Sequence, residues 1–215
     1  MFIGHFALGF AAKKATPSVS LAVLFAACQL ADLLWPVFLL LGIEQVAIEP
    51  GNTAMTPLNF ISYPYSHSLV MLCVWGVALG AIYVALARAQ LAAATALALL
   101  VVSHWVLDVI THRPDMPITP TGSTRLGFGL WNSIPATMTV ETAMFAAGVW
   151  LYLGATPRRT RAQTMGLWSL VAFMLIIYIG NVFGPPPPSV TAIIWAGIPG
   201  SLLFLVWAWA VDRVR

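Results

Sequence analysis

The chain has 215 residues, of which 60% are hydrophobic and only 8% are charged, and its mean hydropathy is +0.89. A soluble domain carries about a quarter charged residues, so this composition excludes a soluble globular protein. It predicts an integral membrane protein built as a single polytopic domain over residues 1–215. The net charge of +3 is small, and we expect no nucleic-acid partner. Cys28 and Cys73 both lie in apolar runs, and we interpret them as buried apolar side chains, not as a disulfide.

Taken in chain order, the apolar runs predict an all-α integral membrane protein with about six transmembrane helices. The first run, 1–12, is too short to cross a bilayer, which takes about 20 residues. The longer runs are 19–42, 68–87, 90–111, 136–154, 166–184 and 190–211. Two long loops, 43–67 and 112–135, are rich in residues that favour turns. Long loops in a compact membrane protein are often lids or binding surfaces.

The basic residues indicate how such a bundle is oriented. Eight fall in loops or chain ends on one side of the six-span arrangement, namely Lys13, Lys14, Arg88, Arg158, Arg159, Arg161, Arg213 and Arg215. Only Arg113 and Arg125 fall on the other side. The excess of lysine and arginine on cytoplasmic loops therefore predicts that both termini face the cytoplasm. We expect a multi-pass protein of a bacterial cytoplasmic (inner) membrane.

The third predicted span ends in a row of chemically active side chains. His104, Asp108 and His112 have the spacing i, i+4, i+8, which places them within an arc of roughly 80° on one helix face. Titratable groups at bilayer depth cost several kcal/mol, so they are functional candidates by default. Two imidazoles beside a carboxylate are a typical metal-ligand set.

Other polar side chains are predicted to share a pocket with this row. His67 begins the second span, Asp32 lies within the first, and Glu141 lies near the start of the fourth. His5 reaches them only if residues 2–14 form a short re-entrant helix that ends at the two lysines. Such a helix would place His5 about 12–14 Å from the lysines and opposite Asp32.

These residue types favour zinc, with manganese as the alternative, in one or two ions. His104 and Asp108 are one turn apart and can share an ion. His104 and His112 are about 12 Å apart along a helix axis, so two ions with Asp108 between them are easier to build than one ion that binds both histidines.

A two-metal site suits ester hydrolysis by a metal-activated water. Asp32 or Glu141 would take the proton, and the residues alone do not decide between them. Arg113, at the mouth of the pocket, could hold an anionic group such as a phosphate. The site is predicted in the outer half of the bilayer, and a site at that depth meets lipids first. The predicted function is therefore hydrolysis of a lipid or a lipid-linked ester or phosphoester.

Two other functions remain open at this point. Intramembrane histidine and aspartate also form ion or proton pathways, so the chain could be an ion, proton or small-molecule transporter. It could also be a non-catalytic membrane protein whose metal only joins helices, in which case the site would be closed by four protein ligands. The oligomeric state is left open.

At these residues the chain resembles the bacterial membrane-bound metal-dependent hydrolases, a family of predicted hydrolases of unknown substrate. The resemblance rests on the segments Gly4–Gly9, Gln29–Pro36, Tyr65–Leu69, Ser103–Asp108 and Thr111–Asp115. It implies that the metal-site residues are His5, Asp32, His67, His104, Asp108 and His112. The chain has Leu34 where relatives often carry a second aspartate after Asp32, and it has Tyr63–Tyr65 where many carry a histidine and arginine pair. These departures remove possible ligands.

Overall fold

A computed structural model describes residues 1–88 and 90–212 of the chain. This described part contains nine α-helices and two small two-stranded sheets. The helices are α1 Ile3–Ala15, α2 Leu21–Cys28, α3 Leu30–Leu40, α4 Pro64–His67, α5 Leu69–Ala87, α6 Leu91–Thr111, α7 Ile134–Ala155, α8 Arg161–Phe183 and α9 Val190–Asp212. The strands are β1 Gln45–Ile48, β2 Leu58–Ser62, β3 Met116–Pro117 and β4 Arg125–Leu126. Arg213 and Arg215, which entered the orientation argument, lie outside the described residues.

Five helices, α5 to α9, are long and apolar enough to cross a membrane. Their bounds match the last five predicted spans to within a few residues, which confirms the all-α membrane class. Many of their large apolar side chains, such as Val77 on α5 and Trp150 on α7, are exposed on the outside of the bundle. A lipid environment, unlike water, would solvate such a surface.

The prediction of one continuous helix over residues 19–42 was wrong. The segment forms two helices, α2 and α3, which meet at Gln29 with a bend of 59°. Gln29 ends α2 because its ψ of 9° leaves the helical range. Counted as one broken span, the pair brings the number of candidate spans to six. The break places Asp32 in the first turn of α3 and frees the carbonyl groups at the end of α2 for other partners.

The short N-terminal helix predicted from residues 2–14 is present as α1, which packs mainly against α7 and folds back along α2. Gly148 on α7 permits this contact, because a Cβ there would lie 2.3 Å from the carbonyl oxygen of Ala7. Lys13 lies in the last turn of α1, at the predicted end of the short helix, but it is buried and its ammonium group pairs with Asp212 at 2.6 Å.

The two long loops carry more structure than their turn-rich composition predicts. Residues 43–67 contain the antiparallel hairpin β1–β2 and the short helix α4, and residues 112–135 contain the pair β3–β4 and a 3-10 turn. The loops are joined where the amide of Met55 donates to the carbonyl of Trp131. Both cysteines are free as expected, although only Cys28 is buried and Cys73 is exposed on the bundle surface.

Candidate metal centre

Two histidines and two aspartates from three helices converge where α2 and α3 meet. His104 and Asp108 come from α6, Asp32 from α3 and His67 from α4. The Nε2 atom of His104 lies 3.1 Å from Asp108 Oδ2 and 3.7 Å from Asp32 Oδ1. The Nε2 atom of His67 lies 3.5 Å from Asp32 Oδ1 and 3.9 Å from Asp108 Oδ2. The ligand atoms of these four side chains, which come from three separate parts of the chain, therefore lie close together.

These spacings fit a metal ion with histidine and aspartate ligands. Zinc bonds nitrogen and oxygen ligands at about 2.0–2.2 Å, so neighbouring ligand atoms at a tetrahedral site are about 3.4 Å apart. The four measured nitrogen-to-oxygen distances, from 3.1 to 3.9 Å, lie around this value. Asp32, His67 and His104 also form one of the two groups whose ligand atoms all lie within 4.8 Å of one another.

The hydrogen bonds behind the two imidazoles determine which ring nitrogen is free. The Nδ1 atom of His104 lies 2.8 Å from the carbonyl oxygen of Cys28, which can only accept, so Nδ1 carries the hydrogen. The Nδ1 atom of His67 lies 2.7 Å from Ser66 Oγ, whose own hydrogen is donated to Glu44 at 2.6 Å. In each neutral ring the unprotonated Nε2 therefore faces the aspartates, as metal-ligating histidines require.

This arrangement leaves lone pairs facing carboxylate oxygens in a buried place. His104 Nε2 is close to Asp108, but the geometry is not that of a hydrogen bond, and the atom has no hydrogen-bond partner. Buried polar atoms without a partner are rare in folded proteins, and a bound ion is one way in which such an atom is satisfied. A cation between the imidazoles and the carboxylates satisfies both, and the residues therefore fit a divalent metal.

A second group shares His104 and Asp108 with the first. His5 Nε2 lies 3.0 Å from Asp108 Oδ1, and the His5 ring stacks on His104 with centroids 3.7 Å apart. The amino group of Met1 lies 2.5 Å from the same Asp108 oxygen. Asp108 thus presents Oδ2 to one group and Oδ1 to the other. This is the bridging position predicted for it, but the far side holds His5 and not His112.

His112 belongs to neither group of possible ligands among the described residues. The helical spacing that linked it to His104 ends early, because α6 stops at Thr111 and His112 has extended backbone. Its Nδ1 lies 2.9 Å from Asp115 Oδ1, and its ring packs on Trp131. Burial lowers the pKa of His112 below its usual value, which keeps the ring neutral at pH 7. Its role as a ligand stays a prediction.

Glu141 lies at the start of α1. Its Oε2 accepts hydrogen bonds from the backbone amides of Phe2 at 2.8 Å and Gly4 at 3.1 Å, so it caps the positive end of that helix. Its Oε1 is buried and has no hydrogen-bond partner.

Arg113 is engaged by the loops. Its guanidinium donates to Asn52 and Asn59 in residues 43–67 and pairs with Asp115 at 3.3 Å. These contacts hold the two long loops together. Arg113 is also absent from the described lining of the cavity beside the site, so its role in holding an anion stays a prediction without support from this geometry.

Sequence reasoning missed Glu44, which supports His67 from behind. Besides the Ser66 hydroxyl, its carboxylate accepts from the amides of Tyr65 and Ser66, both at 2.8 Å. Glu44 follows the end of α3 in a loop, and no regular spacing links it to a histidine 23 residues later. Its approach to α4 depends on the tertiary fold.

A cavity of about 870 Å³ opens beside the candidate metal centre and is lined in part by Asp32, His67 and Asp108. The Asp32 side chain is 38% exposed, whereas the other cluster side chains are almost fully buried. A molecule in the cavity would therefore reach the site from the side of Asp32.

No protein-family model, no curated protein and no solved structure matches this chain. The resemblance to membrane-bound metal-dependent hydrolases accordingly rests on the sequence segments named above and stays a prediction.

Proposed function

We propose that this chain is a membrane-embedded metal-dependent hydrolase that acts on a lipid or a lipid-linked ester. The observation that carries the proposal is the convergence of His67 and His104 with Asp32 and Asp108, at nitrogen-to-oxygen distances of 3.1 to 3.9 Å, beside a cavity of about 870 Å³. The cavity is of the size that binds small molecules.

In this proposal zinc is the expected metal, because nitrogen and carboxylate ligands at tetrahedral spacing suit it. A bound zinc ion supplies a Lewis acid and an activated water as the nucleophile. His67 and His104 would hold the ion through Nε2, fixed by the hydrogen bonds on their Nδ1 atoms. Glu141 would take the proton, because it lines the cavity and its Oε1 has no partner, and Asp32 would be a metal ligand.

The proposed location is the bacterial cytoplasmic membrane with the site towards the outer face. Its support is the distribution of charge. The basic residues at the end of the bundle away from the site are Lys14, Arg88, Arg158, Arg159 and Arg161. Arg113 and Arg125 lie in the loops at the site end, and the side with more basic residues is the cytoplasmic one.

A second candidate function has one specific observation in its favour. A closed structural metal site needs four protein ligands, and two histidines and two aspartates lie close together here. Such a metal would join α3, α4 and α6 without catalysis. The exposure of Asp32 to the cavity favours the enzyme, because a structural site has no need of access.

The test is the metal content of protein purified in detergent without chelators, measured by inductively coupled plasma mass spectrometry. We expect one or two equivalents of zinc, absent from a variant with His104→Ala and Asp108→Ala and retained in Glu49→Gln, whose exposed carboxylate contacts Asn59 and none of the candidate ligands. Release of fatty acid or alcohol from a panel of lipid esters then separates the enzyme from the structural site. Absence of metal, with none taken up on addition, would contradict both.

A further inference from the structure

The residues that line the cavity beside the candidate metal centre indicate which kind of lipid head group would fit it. Its walls come from α3, α8 and α9, and it is covered by residues 50–58 and by the proline run 185–188. Both the polar site and an apolar slot between helices open into the same space. A lipid could therefore place its head at the metal centre and its chain between the helices.

The charge of the lining is unusual for a phosphate-binding pocket. Three carboxylates, from Asp32, Asp108 and Glu141, line the cavity, and none of its described lining residues is lysine or arginine. The one ammonium group in that lining, at Met1, is paired with Asp108 at 2.5 Å. Around a single divalent ion the two aspartates would balance its charge, and a phosphate would then meet the Glu141 carboxylate with no lysine or arginine side chain to balance it.

Two side chains of the cavity lining carry buried hydrogen-bond donors that have no hydrogen-bond partner. They are Trp35 Nε1 and Tyr178 Oη, and each side chain is at least nine-tenths buried. Indole can only donate, and a phenol donates readily. Unpartnered buried donors are costly unless a ligand supplies acceptors. Ester carbonyls and hydroxyl oxygens are uncharged acceptors of this kind.

The remaining wall is apolar and has room for a chain. On α9 the lining includes Ala196 and Gly200, and on α8 it includes Phe173 and Ile177. A Cβ built at Gly200 would meet no atom within 4 Å. The space beside Gly200 is therefore wide enough to take an acyl chain.

We infer that this cavity binds an acylated polyol, a lipid whose head bears hydroxyl groups and no phosphate. Glycerol and sugar heads share this chemistry. The inference rests on the proposed function for the reaction at the ester, but binding in the cavity requires neither metal nor turnover. It restricts the proposed substrates to carboxyl esters of uncharged lipids. Hydrolysis of such an ester adds water across the acyl C–O bond and yields a fatty acid and the free hydroxyl.

The test is native mass spectrometry of the whole protein in detergent, as purified and after treatment with a chelator. The probes are dioleoylglycerol, dioleoyl phosphatidate and a glucosyl-dioleoylglycerol, which share their acyl chains. We expect the uncharged lipids to bind about tenfold more tightly than phosphatidate or better, the difference that corresponds to one unpaired charge. The glucosyl lipid separates a sugar head from a glycerol head.

Variants test whether the lipid binds in this cavity. Gly200→Leu fills the slot and should abolish retention of the uncharged lipids, whereas Gly154→Leu, which also has open space at Cβ but lies away from the cavity, should leave retention unchanged. Tyr178→Phe removes one donor and should weaken binding roughly three- to tenfold.

Tighter binding of phosphatidate, or equal retention in the two glycine variants, would overturn the inference and leave the hydrolase proposal standing. Cavity binding of uncharged lipid by a protein that takes up no metal would instead overturn the hydrolase and leave the inference.

Discussion

The bundle buries charge in two places, and the two are built differently. At the end away from the long loops, both oxygens of Asp212 have partners, namely Lys13 Nζ at 2.6 Å, the amide of Leu21 at 2.8 Å and Tyr152 Oη at 2.9 Å. Lys13 also donates to the carbonyl of Val19 at 2.8 Å. We refer to Lys13, Asp212 and Tyr152 as the Lys13 cluster. It is balanced in charge and joins α1, α2, α7 and α9.

The candidate metal centre lacks this balance. His104 Nε2, His5 Nδ1 and Glu141 Oε1 are buried without hydrogen-bond partners. Three carboxylates, of Asp32, Asp108 and Glu141, lie beside one amino group, that of Met1. Satisfied buried networks stabilise a fold, while unsatisfied ones mark a place where a partner is missing. The difference supports a structural role for the Lys13 cluster and the proposed ligand binding at the candidate metal centre.

The largest effect on folding is expected from breaking the Lys13 cluster. Asp212→Ala leaves the Lys13 ammonium buried without a counter-charge, which costs about 3–5 kcal/mol of folding free energy. Thermal unfolding in detergent measures the loss. The metal content of the folded fraction should not change, because Asp212 has no contact with the metal centre.

The neighbouring lysine offers a matched control. Lys14 is exposed, so Lys14→Met should change the free energy of unfolding by less than about 0.5 kcal/mol. A double variant, Lys13→Met with Asp212→Leu, should recover most of the stability, because well-packed apolar groups replace buried ion pairs at little cost. Loss of metal in Asp212→Ala without loss of stability would contradict the division into two clusters.

An intermediate effect is expected from the support of His67. Glu44→Gln replaces one carboxylate oxygen by an NH2 group. When the remaining oxygen accepts from the amides of Tyr65 and Ser66, the NH2 group faces the Ser66 hydroxyl, which loses its acceptor, so the orientation of His67 is lost. Changes to such supporting groups lower metal affinity about 10–100-fold. Competition for zinc against a chromophoric chelator measures this change.

Glu49→Gln is the matched carboxylate control for that titration. Glu49 lies in an exposed part of the same loop and contacts Asn59, so its variant should bind zinc as the unchanged protein does. Equal affinities for the Glu44 and Glu49 variants would show that His67 does not depend on Glu44, and would weaken its assignment as a ligand.

The elements that sequence predicts well are those with long apolar periodicity. Five spans were predicted with nearly their observed bounds because about 20 consecutive apolar residues have few alternatives in a bilayer. The pairing of His104 with Asp108 could also be predicted from the sequence, since residues four apart share a helix face. The same rule wrongly placed His112 on that helix face, because α6 ends at Thr111.

What could not be predicted depends on the tertiary fold. The break at Gln29 has neither proline nor glycine to mark it, and Pro36 lies inside α3 without ending that helix. Glu44 and Asp212 reach their partners from 22 and 199 residues away, and no local spacing encodes such contacts. The short N-terminal helix was predicted because only such a helix would bring His5 close to Asp32 and the other candidate ligands.

The smallest effect is expected from Arg113, which lies outside both buried clusters. Its guanidinium connects the two long loops, and its side chain is 39% exposed, so Arg113→Gln should lower the free energy of unfolding by at most about 1 kcal/mol. Metal content should be unchanged, and so should the binding of uncharged lipids. Arg125→Gln, in the same loop and bonded only to neighbouring carbonyls, is the control. A selective loss of phosphatidate binding or hydrolysis in Arg113→Gln alone would restore Arg113 as an anion-holding residue. It would also show that a charged side chain of the long loops, and not only the candidate metal centre, takes part in ligand binding.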